Sequence, residues 1–271
     1  MPSQSTLPPM GLKPMRLSPA LLAAWLLAAP GTAQERPALI AAAADLKFAL
    51  AEIARAFTRE TGRVVRMTYG SSGDLARQIE QGAPFEVFMS ADERYAFELH
   101  RAGFTRDAGV AYAVGRLALF APHASSLTVD PEFRGLREAA SAGRLTRFAI
   151  PNPEHAPYGR AAREALETLG LWRAVQPALV FGENASQAMQ FAASGSCQGG
   201  IVPLSLATAP EVSTLGTFQP IPADWHTPLR QRMVLVKRAG PVAAAFFDFV
   251  QRSDAAKATF ARFGYAPPDG R

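Results

Sequence analysis

Apolar positions along this chain recur at two periods that alternate. Residues 39–43 form a short apolar run, the signature of a buried strand. Leu46, Leu50, Ile53, Ala54 and Phe57 then fall at helical spacing until Thr61-Gly62 stops them. The cycle repeats: a strand over 64–69, a helix over 74–80 closed by Gln81-Gly82, a strand over 85–89, and a helix over 91–102 ending at Gly103. Strand and helix alternating at this spacing predict βαβ units and a parallel sheet.

A longer apolar segment over 110–120 surrounds Gly115 and reads as one strand or as two joined there. A second α/β region follows. Strands are expected over 147–150, 178–180 and 200–204, and helices over 158–169 and 186–194. Residues 210–228 are rich in turn formers. A further strand over 230–237 precedes two closing helices over 242–251 and 255–263, and the tail 266–271 reads as frayed. The pattern predicts two α/β lobes, each a mostly parallel sheet flanked by helices. The chain crosses between them near 110–115 and 227–234, which gives lobe 1 as 34–114 plus 227–271 and lobe 2 as 115–226.

The first residues carry a different pattern. Lys13 and Arg16 precede an apolar stretch over 20–29 (ALLAAWLLAA), and Gly31 and Ala33 stand at the recognition positions of a small-residue cleavage site. This is the grammar of an export signal cut after Ala33. A membrane anchor is the other reading, but the stretch is short for a span. Met15 is an alternative start. The leader holds two basic and no acidic residues, so the remainder carries 26 Lys+Arg against 23 Asp+Glu. That mild surplus, without a basic run or basic-aromatic interleaving, gives no nucleic-acid footprint. Cys197 is the one cysteine, so no internal disulfide can form; its place in a turn before an apolar strand suits a small semi-buried residue better than a reactive thiol.

Candidate chemistry concentrates where strands give way to helices. Ala42-Ala43-Ala44-Asp45, Gly70-Ser71-Ser72-Gly73-Asp74, Ala156-Pro157-Tyr158-Gly159-Arg160 and Glu183-Asn184-Ala185-Ser186 are each a few small residues followed by a helical pattern. A helix start presents unpaired N–H groups and the positive end of the peptide dipoles. Several starts aimed at one point make an anion site without lysine or arginine. Ordinary capping explains each stretch taken alone; two from each half are harder to explain so. Asp45 reads as an N-cap with its carboxylate turned away from any anion. The four histidines are scattered without metal-ligand spacing, and His155 alone lies near a proposed turn. An exported hydrolase using Ser71 or Ser72 is a rival reading, but the glycine spacing of a nucleophile elbow is absent and no histidine is placed as the base.

The blocks Ala42-Ala43-Ala44-Asp45-Leu46, Tyr69-Gly70-Ser71-Ser72-Gly73, Gly82-Ala83-Pro84-Phe85-Glu86-Val87-Phe88, Ser90-Ala91-Asp92 and Pro153-Glu154-His155-Ala156-Pro157-Tyr158-Gly159 resemble the periplasmic molybdate-binding proteins of bacterial ABC importers, in order and spacing, over nearly the whole mature chain. The resemblance implies a two-lobed venus-flytrap fold and a monomeric periplasmic receptor without catalytic residues or cofactor. It clamps a small tetrahedral oxyanion, molybdate or tungstate, and delivers it to a membrane permease. It implies ligand contacts at Ala44, Asp45, Ser71, Ser72, Tyr158 and Ala185. Ser72 would give hydroxyl and N–H, and Tyr158 and Ala185 main-chain N–H. The anion would be held through its oxygens, with no protein ligand on the metal. Two positions depart from the pattern. Asp45 stands where many members carry serine or asparagine, and Pro203 stands where some add a tyrosine hydroxyl. These departures keep sulfate, thiosulfate, phosphate or a small organic anion open as alternative cargo.

Overall fold

The computed structural model describes residues 35–268; the expected leader, residues 1–33, and its cleavage site lie outside the described residues. Two five-stranded sheets organise the chain. The first takes β1 (Ala38–Ala43), β2 (Val65–Gly70), β3 (Val87–Ser90), β4 (Val110–Gly115) and β10 (Leu229–Leu235), in the order β2-β1-β3-β10-β4. The second takes β5 (Leu117–Pro122), β6 (Phe148–Pro151), β7 (Leu179–Gly182), β8 (Gly199–Pro203) and β9 (Gly216–Pro220), in the order β7-β6-β8-β5-β9.

The two sheets repeat one plan. In the first, β1 runs parallel to β2 and β3, and β10 runs antiparallel to β3 and β4. In the second, β6 runs parallel to β7 and β8, and β5 runs antiparallel to β8 and β9. Both are mixed sheets with a parallel core of three strands, the part that βαβ patterning foretells. The central strands β1, β3, β5, β6 and β8 are buried almost without a break. This follows from helices covering both faces, and it explains why those segments read as apolar runs rather than alternations.

The structure refines several expectations. The apolar segment at 110–120 is two strands in different sheets, with Arg116 alone between them. Residues 210–228 are not merely turns: Gly216–Pro220 pairs with β5, and the strand was hidden by its terminal glycine and proline and its half-exposed edge position. A helix over Arg134–Ser141 is an addition to the expected elements: its N-cap position is Phe133, which cannot cap, and the amides of Arg134 and Gly135 are met instead by the more distant Asp130 carboxylate. The tail is not wholly frayed, because Ala266 exchanges two backbone hydrogen bonds with Val114. The chain passes between the sheets at 115–117 and again between Pro220 and Leu229. No helix among the described residues is long and apolar enough to cross a membrane.

Candidate functional site

Register places the helix starts side by side. In β1 and β2 the last paired residues are Ala43 and Gly70, so the turns that follow leave the sheet at one level. Ala44–Leu46 forms one 3-10 turn before the Lys47–Thr61 helix, and the Ser72–Glu80 helix opens beside it. The second sheet does the same: Pro151 pairs with Gly182 at the ends of β6 and β7, and the Pro157–Thr168 and Ala185–Ala193 helices follow. Carboxyl ends of parallel strands are where open α/β sheets take their ligands.

The two pairs of turns meet. Ala44, Asp45, Ser71, Ser72, Tyr158 and Ala185 line one small cavity, together with Ala43, Gly70, Ala91, Ala156 and Pro157. Its volume is only about 10 Å³, the order of a single water position. Larger clefts of about 580 and 990 Å³ open elsewhere, but charged arginines and glutamates or the proline-rich tail line them.

Donors dominate the cavity wall. The amides of Ser72, Tyr158 and Ala185 stand in the first turns of their helices, where no intrahelical acceptor exists. Their residues are 0%, 1% and 6% exposed. No hydrogen bond from any of the three to an acceptor outside its own helix is found among the described residues. The Ser72 hydroxyl oxygen accepts the Ala91 amide at 3.0 Å, which leaves its proton to donate. Ser71 differs. Its hydroxyl donates to Asp74 Oδ2 at 2.6 Å and accepts the Asp74 amide at 3.2 Å, so it caps the helix and its proton is already used. The hydrolase reading fails on the same geometry. The proton of Ser71 goes to a carboxylate, and the ring of His155 meets Glu183 O at 3.0 Å and Asp74 at 3.7 Å rather than either serine.

Asp45 does not cap its helix, contrary to the sequence expectation; no side-chain bond closes that turn. Its carboxylate is buried, and Oδ2 accepts from Gln231 Nε2 at 2.7 Å, Tyr265 Oη at 2.8 Å and Tyr158 Oη at 3.1 Å. Tyr112 donates to Gln231 Oε1 at 2.7 Å, which fixes the amide so that Nε2 faces the carboxylate. The Asp45 carbonyl accepts from Ser205 at 2.9 Å and Tyr265 at 3.0 Å. Burial raises the Asp45 pKa, and the bonds from Gln231, Tyr265, Tyr158 and its own amide offset only part of that rise. The hydroxyls of Tyr112, Tyr158 and Tyr265 are pushed well up, first by burial and next by the neighbouring carboxylate, so they stay donors.

Gln231, Tyr265 and Tyr112 were missed in the sequence. One signal was present for Gln231: it occupies a core-facing position in the alternation Leu229, Gln231, Met233, with a β-bulge beside it. Tyr265 lies between the expected closing helix over 255–263 and the expected frayed tail over 266–271, and Tyr112 has the pattern of ordinary strand content. Gly115 completes the arrangement. A Cβ there would lie 2.2 Å from the Tyr158 hydroxyl, so only glycine lets that side chain in. Pro203 does not line the cavity.

Contacts across the cavity tie the two sheets' helices together. The Gly73 amide donates to His155 O at 3.1 Å, and Ser186 Oγ donates to Ala44 O at 2.9 Å. Arg160 pairs with Asp92 and reaches the Tyr95 hydroxyl. The two halves are therefore closed over the cavity. No cluster of His, Cys, Asp or Glu able to hold a metal ion occurs among the described residues.

Comparison with known proteins agrees with this architecture. Residues 38–266 match the family described as bacterial extracellular solute-binding protein. A molybdate-binding protein of Rhodobacter capsulatus is 35% identical over 242 residues, covering 88% of this chain and 91% of its own. The Escherichia coli K12 molybdate-binding protein is 31% identical, covering 88% and 92%. Among solved structures, the periplasmic molybdate-binding protein of Azotobacter vinelandii superposes with a TM-score of 0.77 at 30% identity, over 85% of this chain and 99% of that one. A sulfate-binding protein of Mycobacterium tuberculosis shares the fold, with a TM-score of 0.67 at 18% identity.

Proposed function

The chain belongs to the bacterial extracellular solute-binding proteins, a non-catalytic family, and from that premise we propose that it is a periplasmic receptor that captures molybdate or tungstate for an ABC importer. The observation that carries this reading is the cavity itself. Buried amides from both sheets, a serine hydroxyl with its proton to give, and no cationic side chain converge on one point.

Such a site suits a fully ionised tetrahedral dianion. Fixed amide dipoles in a dry pocket compensate its charge without a cationic partner. A cavity this small leaves no room for a large organic anion. Selectivity over sulfate would follow from size, since a larger oxyanion reaches all donors at once; molybdate and tungstate, nearly equal in size, would compete closely. On this reading the lobes are 34–114 plus 227–271 and 115–226. The crossings at 115–117 and 220–229 serve as the hinge, and the closed form presents the surface a permease recognises. The ligand favours closure only through its preference for that state.

The test is calorimetry and thermal denaturation of the protein without its leader, against a panel of oxyanions. At one hundred times its dissociation constant a ligand adds about 2.7 kcal/mol of stability. For a chain this size that raises Tm by about 5–10 °C. A rise with molybdate and tungstate is expected. A rise with sulfate or phosphate alone would overturn the choice of cargo.

A further inference from the structure

The carboxyl group of Asp45 is built asymmetrically. Oδ2 accepts three hydrogen bonds, from Gln231, Tyr265 and Tyr158. Oδ1 is buried and has no partner among the described residues, although Asp45 is one of the residues lining the cavity. A buried carboxylate oxygen without a donor is costly. The groups facing this carboxyl are the tyrosine hydroxyls of 158, 265 and 112, the Gln231 amide and the backbone N–H of Asp45 itself, none of them charged. The Ala185–Ala193 and Leu204–Ala207 helices, which pack against the Ala44–Leu46 turn, contribute no charged residue. Lys47, on the following helix, is exposed and forms no ion pair with Asp45.

A dianion placed among the helix starts would therefore sit beside an acid with no cation to balance it. An ionised Asp45 would repel that guest in a dry pocket. A neutral Asp45 resolves every contact at once: Oδ2, as the carbonyl oxygen, keeps its three donors, and Oδ1 becomes a hydroxyl with a proton to give. We propose that Asp45 enters the complex as the neutral acid and donates its Oδ1 proton in a hydrogen bond to the bound oxyanion, so that capture is coupled to protonation of this side chain. The inference rests on the oxyanion reading above. The balance is simple. Where free Asp45 is ionised, protein and dianion combine with one proton from solution, which ends on Oδ1; no covalent bond to the anion forms. Burial already raises the affinity of Asp45 for a proton, in the direction this needs.

The experiment is infrared difference spectroscopy of the molybdate complex of the wild-type protein and of Asp45→Asn at pH 7.5. Calorimetry of wild type in buffers of different ionisation enthalpy runs beside it and needs no variant. Expected is a neutral-acid carbonyl band in the wild-type complex that is missing from the variant. Above the pH where free Asp45 ionises, one proton should be taken up per anion and affinity should fall up to tenfold per pH unit. Asparagine offers the same geometry, with its oxygen to the three donors and its NH₂ to the anion. The variant should therefore bind at least as tightly at high pH, with no proton uptake. A complex that forms without the band overturns the inference and leaves the receptor reading standing. So does preference for a protonated oxyanion such as hydrogen phosphate held by an ionised Asp45. Failure of every oxyanion to bind wild type between pH 5 and 9 overturns both.

Discussion

Replacing Ser72 with alanine asks the most of the proposed site, because one hydroxyl serves two purposes. Its oxygen accepts the Ala91 amide at 3.0 Å, and its proton is left for a guest. The residue is fully buried, so no bulk water substitutes in the closed form. A hydrogen bond to a charged acceptor contributes about 1.5–3 kcal/mol. Losing it corresponds to roughly 10- to 150-fold weaker binding. The orphaned Ala91 amide adds a desolvation cost to the closed state in the same direction. Ser71→Ala is the matched control: its hydroxyl caps Asp74, so the loss should cost about 1 kcal/mol of stability and leave affinity within a few-fold. Titration calorimetry with molybdate, paired with thermal melts of the unliganded proteins, separates the two. If Ser72→Ala bound within twofold of wild type while Ser71→Ala lost affinity, the donor assignment would be wrong and the anion would have to sit elsewhere.

Three further outcomes follow from the same geometry. Gly73→Ala would set a Cβ 2.9 Å from His155 O across the closed cavity, so affinity should fall about tenfold or more, while the helix-favouring alanine keeps the unliganded melting temperature level or higher; equal affinity by calorimetry would deny that closure brings these helices together. Asp45→Asn should also change how unliganded stability depends on pH. A raised native pKa means the folded state binds the proton more tightly, so this group's contribution is complete below the unfolded value near 3.8 and is lost as pH rises through the folded value. Denaturant titrations should therefore show the variant gaining on wild type as pH climbs, and a constant gap would contradict it. Tyr265→Phe removes the hydroxyl whose one proton is shared between Asp45 Oδ2 and the Asp45 carbonyl, and should cost about 1–3 kcal/mol in chemical denaturation even though Ser205 still donates to the carbonyl; a neutral result would mean water takes its place.

Local chemistry accounts for what the sequence disclosed and what it withheld. The parallel cores were legible because βαβ units write themselves as apolar runs, helical periods and glycine stops. The helix starts were legible for the same reason: Gly70, Ser71, Asn184 and Pro157 are residues whose backbone or capping preferences mark a boundary. The antiparallel partners were harder. The segment at 216–220 is short, half-exposed and bounded by Gly216 and Pro220, so its identity comes from pairing with β5 rather than from its own pattern. The ring of hydroxyls around Asp45 was hardest, because nothing local connects residue 45 to residues 158, 231 and 265. Only the two crossings and the returning tail bring those positions together, and long-range topology leaves almost no trace in a single chain.

The contrast between the two halves also says where function entered. Each sheet, read alone, follows one plan, with matched strand ends and two helices opening at one level. Capping rules satisfy most of those openings, as Ser71 and Asn184 do for the Asp74 and Gln187 amides. The amides of Ser72, Tyr158 and Ala185 are left over, and they are the ones that face each other. Asp45 opens a helix without capping it and buries a carboxyl whose second oxygen has no hydrogen-bond partner among the described residues. Among the described residues His226 Nε2 and Arg232 Nε are also buried without a partner, but of the three only Asp45 lines the cavity, where Tyr158, Gln231, Tyr265 and, through Gln231, Tyr112 hold its carboxyl. Departures of this kind mark the places a fold keeps for its ligand. On the proposed reading, the exception at Asp45 and the unpaired amides around it form one device, which a bound anion would complete.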